Sequence, residues 1–267
     1  MASGTVLGPA TIGLLVAGGH GEVLVHRRPR VAVLSTGDEL VPPGASVGPA
    51  SIPDSNGAAI AAQVRSAGGI AVLLGIAPDD RPTILSRLTE GIASAEVVVV
   101  SGGVSVGAHD EVKAAFETVG TIDLWRIAIQ PGKPLAFGHA IAPDGRRVLL
   151  FGLPGNPVSS FVTFECFVRP VIRRLAGRTG NGRITVRARL TEPVTKSAGR
   201  RAYLRVRLAP GTPDDPQPRA TLAGGQGSHV LSALARADGL AIIPHDVDGL
   251  PSGSLVDVIR IAEEAAP

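Results

Sequence analysis

The chain turns from an apolar strand into an apolar helix at Gly152-Leu-Pro-Gly-Asn-Pro-Val-Ser159. The preceding residues 147–151 predict a buried strand, and residues 157–176 predict a helix with Pro157 at its first position and Asn156 as its N-cap. The N–H groups of such a first turn, together with the helix dipole, favour an anion. Any strand-to-helix turn also favours Gly, Asn and Pro, so this run alone leaves a purely structural role open.

Strand and helix patterns alternate on the N-terminal side of this turn, from residue 31 onward. Apolar runs predict strands at 31–35, 70–76, 96–101, 121–129 and 135–137. Amphipathic runs predict helices at 56–67, 82–93 and 110–119. Such alternation predicts an α/β fold in three layers, α/β/α, with a mainly parallel sheet covered on both faces. Ligands of these sheets bind beyond the carboxyl ends of the strands, where the glycine-rich and acidic motifs of this chain lie.

The pattern changes after residue 177. Short alternating strands are predicted at 183–190, 203–208, 220–223, 240–243 and 254–261, separated by runs rich in Pro, Gly and Asp. We therefore expect an α/β domain over residues 30–177 and a small, barrel-like all-β domain over residues 178–267. Residues 1–29 predict a helix at 10–17 and a strand at 22–25, and they are too few to bury a core of their own, so they must pack on another part.

The composition indicates a compact protein rich in loops and excludes several classes. No apolar run approaches the roughly 20 residues of a membrane span, and residues 1–4 lack the basic start of a secretory signal. The single cysteine, Cys166, excludes an internal disulfide and is expected in the core. We therefore expect a cytoplasmic protein that binds no membrane. A net charge of +3 without a basic run interleaved with aromatic residues disfavours nucleic acid as a partner.

Carboxylates follow two of the predicted strands. Ser35-Thr-Gly-Asp-Glu39 ends the first strand, and Asp79-Asp80 follows the second. A capping role accounts for Asp80. For Thr36 and Asp38, a capping role and a functional role remain equally open. Capping accounts less well for Glu39 and Asp79. Asp54-Ser-Asn56 precedes a helix and mainly predicts a cap.

Ser101-Gly-Gly-Val-Ser-Val-Gly107 ends a further strand. Two adjacent glycines let the backbone approach a ligand closely, and successive N–H groups can form an anion nest. The spacing is neither that of dinucleotide-binding proteins nor that of P-loops. Asp110 follows, and a carboxylate beside a phosphate is favourable where a divalent cation bridges the two. Gln130-Pro-Gly-Lys-Pro134 then adds one of the chain's three lysines on a tight turn.

These motifs, in this order and spacing, resemble molybdopterin molybdenumtransferase, the MoeA-type enzyme related to the E domain of gephyrin. The resemblance extends from about residue 5 to residue 261. In the predicted β domain it includes Gly199-Arg200 through Arg205, and Gln226-Gly-Ser-His229.

The resemblance implies Mg²⁺-dependent insertion of molybdate into adenylylated molybdopterin, with release of AMP. It places the acidic catalytic and metal-binding positions on Glu39, Asp79 and Asp110. The pterin phosphate and the adenylate would contact Thr36, Gly37, Ser101, Gly102, Gly103, Ser105, Gly107, Pro154, Gly155, Asn156, Pro157 and Ser159. The molybdate pocket, which includes a catalytic lysine, would consist of Lys133, Pro134, Arg205 and Ser228. A point charge, a guanidinium and a hydroxyl suit an oxyanion.

The chain departs from the family in two respects. Two family lysines appear here as Arg126 and Gln130, so one cationic contact is altered and one is lost. Family members also have a longer N-terminal part, which completes the active site of the partner subunit, and residues 1–29 look like a remnant of the linker to it. The resemblance implies a homodimer that acts on small-molecule substrates, with a separate molybdopterin adenylyltransferase as a further candidate partner.

Two functions of different class remain open. The carboxylates Glu39, Asp79 and Asp110 favour an enzyme that inserts molybdate, because a mere binding protein has little need of acids beside a phosphate. The short N-terminal part and Gln130 favour a module or scaffold that binds molybdopterin without competent chemistry.

Overall fold

The computed structural model describes residues 2–103, 111–178 and 182–261. The helices are α1 (Pro9–Ala17), α2 (Ser55–Ala67), α3 (Arg81–Ser94), α4 (Glu111–Val119), α5 (Pro157–Thr163), α6 (Arg169–Leu175) and α7 (Leu231–Ala235). The strands of the first half are β1 (Arg30–Thr36), β2 (Leu40–Val41), β3 (Ile52–Pro53), β4 (Ile70–Ala77), β5 (Val97–Ser101), β6 (Gly120–Trp125), β7 (Ile129–Gln130), β8 (Ala136–Ile141) and β9 (Arg147–Leu153). Those of the second half are β10 (Thr185–Leu190), β11 (Val194–Thr195), β12 (Arg201–Ala209), β13 (Arg219–Leu222), β14 (Gly239–Ile243), β15 (Gly249–Leu250) and β16 (Leu255–Arg260).

The first large sheet has the predicted α/β/α architecture. Its strand order is β4-β1-β5-β9-β8-β6, with β4, β1, β5 and β9 parallel and β8 antiparallel to both of its neighbours. Successive residues of β1 are buried on opposite faces: Val33 packs with Ile60 of α2, and Leu34 packs with Ile84 of α3. The mainly parallel sheet covered on both faces is therefore confirmed.

Three details differ from the sequence prediction. β4 is an edge strand and is only partly buried, and Leu73 is 60% exposed. The predicted strand 121–129 was wrong as one element, because β6 ends before Arg126, whose φ of 140° is not compatible with an extended strand. Ile129–Gln130 instead joins the second sheet as β7. The predicted strand 22–25 was also wrong: these residues are exposed and pair with no strand in the described part of the chain.

The helix predicted over residues 157–176 is continuous but not uniform. A π-helical turn, Phe164–Val168, separates α5 from α6. Pro170 follows it and lacks the N–H that would bond the carbonyl of Cys166 in a regular α-helix.

The π-helical turn carries a buried carboxylate, Glu165, whose side chain is 1% exposed. Its oxygens accept hydrogen bonds from Gln63 of α2 at 2.8 Å and from Arg183 at 2.8 and 3.2 Å, and Arg169 lies 3.8 Å away. Arg183 also donates to the carbonyl of Ile261, which follows the last strand. Glu165 thus connects the α/β layers to both ends of the second half of the chain.

The second half forms a closed, barrel-like β domain, as predicted. Its strand order is β13-β10-β16-β14-β12, and β13 also pairs with β12, which closes the ring. Its core is apolar and includes Leu190, Leu204 and Val258. β7 of the α/β half pairs in parallel with β12, so the two halves share one sheet.

Residues 2–28 pack loosely on the α/β half. α1 buries none of its residues. A cavity of about 800 Å³ is lined by this segment, by Gly68 and by the turn at 176–178, and the His26 ring lies against Gly177. Within the described residues, no helix combines the length and the apolar character that crossing a membrane requires.

Candidate functional site at the carboxyl ends of the parallel strands

The loops after β1 and β4 lie side by side. Thr36 pairs with Ala77, the Gly37 N–H donates to the Ala77 carbonyl, and the Asp79 N–H donates to Asp38 Oδ1 at 3.0 Å. Glu39 turns back over Gly37, since a Cβ at Gly37 would lie 2.7 Å from Glu39 Oε2. The two acidic motifs therefore meet at the carboxyl edge of the sheet, where we expected them.

The structure does not test the complete metal site. Glu39 and Asp79 are exposed on the adjacent loops, whereas Asp110, like Ser105 and Gly107, lies outside the described residues. Among residues 2–103, 111–178 and 182–261 there is no group of three acidic, histidine or cysteine side chains that could hold a metal ion. A magnesium site that includes Asp110 stays a prediction.

Both predicted aspartate caps are present, but Asn56 has a further role that the sequence did not reveal. Asp54 accepts from the Gly57 N–H and Asp80 from the Thr83 N–H. Asn56 Nδ2 donates to Ser101 Oγ at 2.9 Å and to the Gly155 carbonyl at 2.7 Å. This one amide joins the start of α2 to both glycine-rich loops. In the sequence, only the position of Asn56 beside the predicted carboxyl edge of the sheet indicates that it could contact these loops.

Gly102 and Gly103 are required by the protein's own packing. They adopt φ values of 99° and 63°, a region in which glycine is favoured. A Cβ at Gly102 would clash with the Thr36 carbonyl oxygen, and one at Gly103 would clash with Val112. The protein's own packing is therefore sufficient to explain why both positions are glycine. Access for a ligand, the role predicted from the sequence, stays a prediction. A Cβ at Gly155, in contrast, would be 3.6 Å from Gly102 Cα, an ordinary contact.

The start of α5 offers fewer free donors than the sequence suggested. Pro157 occupies the first position and Asn156 the N-cap, as predicted, but the Asn156 side chain makes no capping hydrogen bond. The Val158 N–H donates to the Ser228 carbonyl at 3.0 Å. Because Pro157 has no N–H and the Val158 donor is occupied, the expected anion site at this helix terminus is much reduced. Ser159, which follows, is buried.

Arg205 is the most unusual side chain of the site. It is completely buried on β12, and Nη2 donates to the carbonyls of Gly225 and Gly227 at 3.1 Å each. Nε and Nη1 have no hydrogen-bond partner in the described part of the protein. Burial lowers the pKa of the guanidinium to about 10. A buried cation with unused donors requires an explanation, and an anionic ligand supplies one.

Gln226 holds the main chain of Arg205 in place. Its Oε1 accepts from the Arg205 N–H at 2.9 Å, and its Nε2 donates to the Arg205 carbonyl at 3.1 Å and to the Gly224 carbonyl at 2.9 Å. The turn that follows carries Ser228, whose carbonyl meets α5. This turn therefore fixes Arg205 and Ser228 together against the start of α5.

The Lys133 turn approaches the other end of α5. A Cβ at Gly132 would lie 2.6 Å from Thr163 Cγ2, so the turn rests on the last residue of this helix. Thr163 and Val158 are about 7.5 Å apart along a helix axis. Lys133 itself is exposed, and Pro134 is half-buried. A pocket formed jointly by Lys133, Arg205 and Ser228 stays a prediction.

The substituted position Gln130 has a structural contact. Its Oε1 accepts from the Ser197 N–H at 3.2 Å, and its backbone pairs with Ala202 of β12. Arg126, the second departure, is exposed and has the positive φ noted above. Arg126 is in none of the ion pairs found among the described residues, and Gln130 carries no charge with which to form one.

Cys166 lines a cavity of about 440 Å³ at the junction of the two halves, together with Ile129, Arg201, Tyr203 and His245. Burial raises the pKa of its thiol to about 11. The expectation that Cys166 contributes to packing agrees with its half-buried position.

Comparison with known proteins places these residues in a family. Residues 32–174 match the family model described as "Probable molybdopterin binding domain", and residues 187–261 match "MoeA C-terminal region (domain IV)". The chain belongs to the MoeA family. Its two matched regions correspond to the parallel sheet and to the closed β domain.

Individual relatives agree with this assignment. The chain is 39% identical over 264 residues to molybdopterin molybdenumtransferase 1 of Mycobacterium tuberculosis H37Rv, a match over 98% of this chain and 61% of that protein. It is 36% identical to the Nostoc molybdopterin molybdenumtransferase, over 96% of this chain and 58% of that protein. The crystal structure of the MoeA protein of Pyrococcus horikosii superimposes with a TM-score of 0.81 at 34% identity, over 97% of this chain and 61% of that one. The chain thus spans about three fifths of the relatives it matches.

Proposed function

We propose that this chain acts in molybdenum cofactor biosynthesis as a molybdopterin molybdenumtransferase, inserting molybdate into adenylylated molybdopterin with release of AMP. The observation that carries the proposal is Arg205. It is a fully buried guanidinium with two unused donor nitrogens, in a family whose relatives include proteins named molybdopterin molybdenumtransferase. Molybdate is a dianion, and a buried arginine binds it more strongly than an exposed one because competing water is excluded.

Each part of the site has a distinct task in the proposed reaction. Arg205 and the Ser228 hydroxyl bind molybdate oxygens, and Lys133 adds a point charge from the turn at the other end of α5. Ser101 and the glycine-rich loops bind the phosphates of the adenylylated pterin. The Ser228 turn contacts Val158 at the start of α5 and the Lys133 turn contacts Thr163 at its end, so one helix supports both turns.

Magnesium fits the acidic residues that the structure describes. Glu39 and Asp79 present exposed carboxylate oxygens on adjacent loops, and Mg²⁺ prefers one or two carboxylates together with substrate phosphates. We propose that Glu39, Asp79 and Asp110 hold the ion. When bound, it would neutralise the phosphate charge as AMP departs. These carboxylates would otherwise repel the phosphates, so their own contribution is to position the ion.

The test is transfer by the chain alone. Purified protein is incubated with adenylylated molybdopterin, molybdate and Mg²⁺, and both AMP release and protein-bound molybdenum cofactor are measured. We expect both products, and we expect Asp79→Asn to lower the rate of AMP release at least tenfold while the protein stays folded. Binding of the pterin without AMP release would refute transfer by this chain and would favour the binding module. Gln130, which lacks the charge of the family lysine, is the observation that supports that second function.

The proposal extends to the assembly and surroundings of the protein. We propose a homodimer in the cytoplasm that receives its pterin substrate from a separate molybdopterin adenylyltransferase. Sedimentation equilibrium at micromolar concentration tests the dimer, and a monomer under those conditions would contradict it.

A further inference from the structure

We infer that Asn56 is a positioning residue that sets the direction of the Ser101 hydroxyl, so that Ser101 donates its proton to a phosphate oxygen of the pterin substrate. The inference rests on the proposed function. It is carried by the hydrogen bonds at the meeting point of α2 and the two glycine-rich loops.

The orientation of the Asn56 amide is fixed by its partners. One side-chain atom of Asn56 contacts both Ser101 Oγ, at 2.9 Å, and the Gly155 carbonyl, at 2.7 Å. A carbonyl oxygen can only accept, so the contacting atom must be the NH₂ group. That group can only donate. Ser101 Oγ is therefore the acceptor in this pair, and its own proton must point elsewhere.

Within the described part of the chain, no hydrogen bond has Ser101 Oγ as its donor. The neighbouring hydroxyls of Ser35 and Thr36 are buried and make no hydrogen bond, so neither receives the Ser101 proton. Ser101 is 2% exposed, which also limits its contact with water. A buried donor without an acceptor is unfavourable, and a ligand that brings an oxygen to this point removes that cost.

The surrounding donors indicate which group of the ligand binds here. Ser35 lies directly opposite Ser101 on the paired strand, and Thr36 follows it. Thr36 points to the other face of the sheet, so two hydroxyls with unused donor capacity, those of Ser35 and Ser101, stand together, and the described residues place no carboxylate among their hydrogen-bond partners. Such a group favours a ligand rich in acceptors, of the class of phosphate monoesters.

A double-mutant cycle tests the direction of the hydroxyl. Asn56→Asp keeps the size of the side chain but offers an acceptor, so the Ser101 hydroxyl turns to donate to it and is withdrawn from the ligand. Ser101→Ala removes the same donor. We expect each variant to weaken binding of molybdopterin about tenfold or more by isothermal titration calorimetry, and we expect Ser101→Ala to cost almost nothing further in the Asn56→Asp protein.

The cycle separates this role from two simpler ones. If Asn56→Asp acts only by charge repulsion or by loosening the loops, its effect adds to that of Ser101→Ala, and the inference is overturned. Unchanged binding by Asn56→Asp overturns it as well. Asn56→Ala, which frees the hydroxyl without capturing it, should lose less affinity than Asn56→Asp and should leave Ser101→Ala most of its own cost. If Asn56→Asp does not fold, unchanged binding by Asn56→Ala overturns the inference.

The result also separates this inference from the proposed function. If the unaltered protein does not bind molybdopterin, the proposed function fails at its first step. If it binds and the cycle is additive, the function stands and only the role of Asn56 is wrong. Circular dichroism of each variant confirms that the fold is intact.

Discussion

The buried carboxylate of Glu165 makes a large and specific contribution to stability that substitution should reveal. Its side chain is 1% exposed and interacts with Gln63, Arg169 and Arg183. In Glu165→Ala, two largely buried guanidinium groups lose this carboxylate, and Gln63 loses an acceptor. Removing one partner from a buried ion pair typically costs about 3–5 kcal/mol. We expect a loss of that size in the free energy of unfolding.

A matched control is available on α3. Glu90 pairs with Arg87 at 3.1 Å, but the two side chains are 56% and 44% exposed. Exposed pairs of this kind contribute about 0.5 kcal/mol or less. Glu90→Ala should therefore leave the free energy of unfolding almost unchanged, although it also removes one carboxylate from one arginine.

Urea unfolding followed by circular dichroism measures both variants. Glu165→Gln, which keeps an oxygen acceptor but not the charge, should fall between Glu165→Ala and the unaltered protein. A loss below about 1 kcal/mol for Glu165→Ala, or equal losses at positions 165 and 90, would show that burial of the Glu165 network does not strengthen its contribution to stability.

Three further predictions follow from other side chains. Arg205→Met should change the free energy of unfolding by less than about 2 kcal/mol, because two unsatisfied donor nitrogens disappear along with two hydrogen bonds, yet it should abolish molybdate retention in equilibrium dialysis. A loss above about 4 kcal/mol would contradict this. Cys166, with a pKa of about 11, should react with iodoacetamide at pH 8 about a hundredfold more slowly than in urea-unfolded protein, and equal rates would refute the burial effect. Since an unfolded thiol ionises at lower pH, this group should also lower stability as the pH rises from about 9 to 11. Gln130→Lys should raise molybdate affinity in the same dialysis, and unchanged affinity would show that the lost family lysine is immaterial here.

The local pattern of the sequence predicted most of the fold. Apolar runs and capping residues such as Asp54 and Asp80 act over a few positions, so the α/β alternation and the helix starts could be identified without the structure. The prediction of a strand at 22–25 was wrong because a strand-like residue pattern does not by itself provide a second strand to pair with. The run 121–129 failed because Arg126 breaks it and its end pairs with a strand more than seventy residues away.

The site was predictable in its motifs but not in its contacts. The resemblance identified Arg205, but its complete burial and unused donors depend on turns that meet it only after folding. Asn56 was interpreted as part of a cap, because its partners Ser101 and Gly155 are distant in the chain. The sequence motif predicts that Gly102 and Gly103 give a ligand access, whereas packing against Thr36 and Val112 already requires them. Long-range packing, which local patterns do not encode, decided each of these outcomes.

The pairing of β7 with β12 has a consequence for synthesis. Translation proceeds from the N-terminus, so Ile129 and Gln130 leave the ribosome well before Arg201 and Ala202, with which they pair. Until then the strand that leads into the Lys133 turn has no partner, and Arg205 has not yet been made. We therefore expect a nascent chain to complete the proposed molybdate pocket late. A product of premature termination before β12 would contain every parallel strand of the first sheet yet lack the guanidinium that we propose binds molybdate.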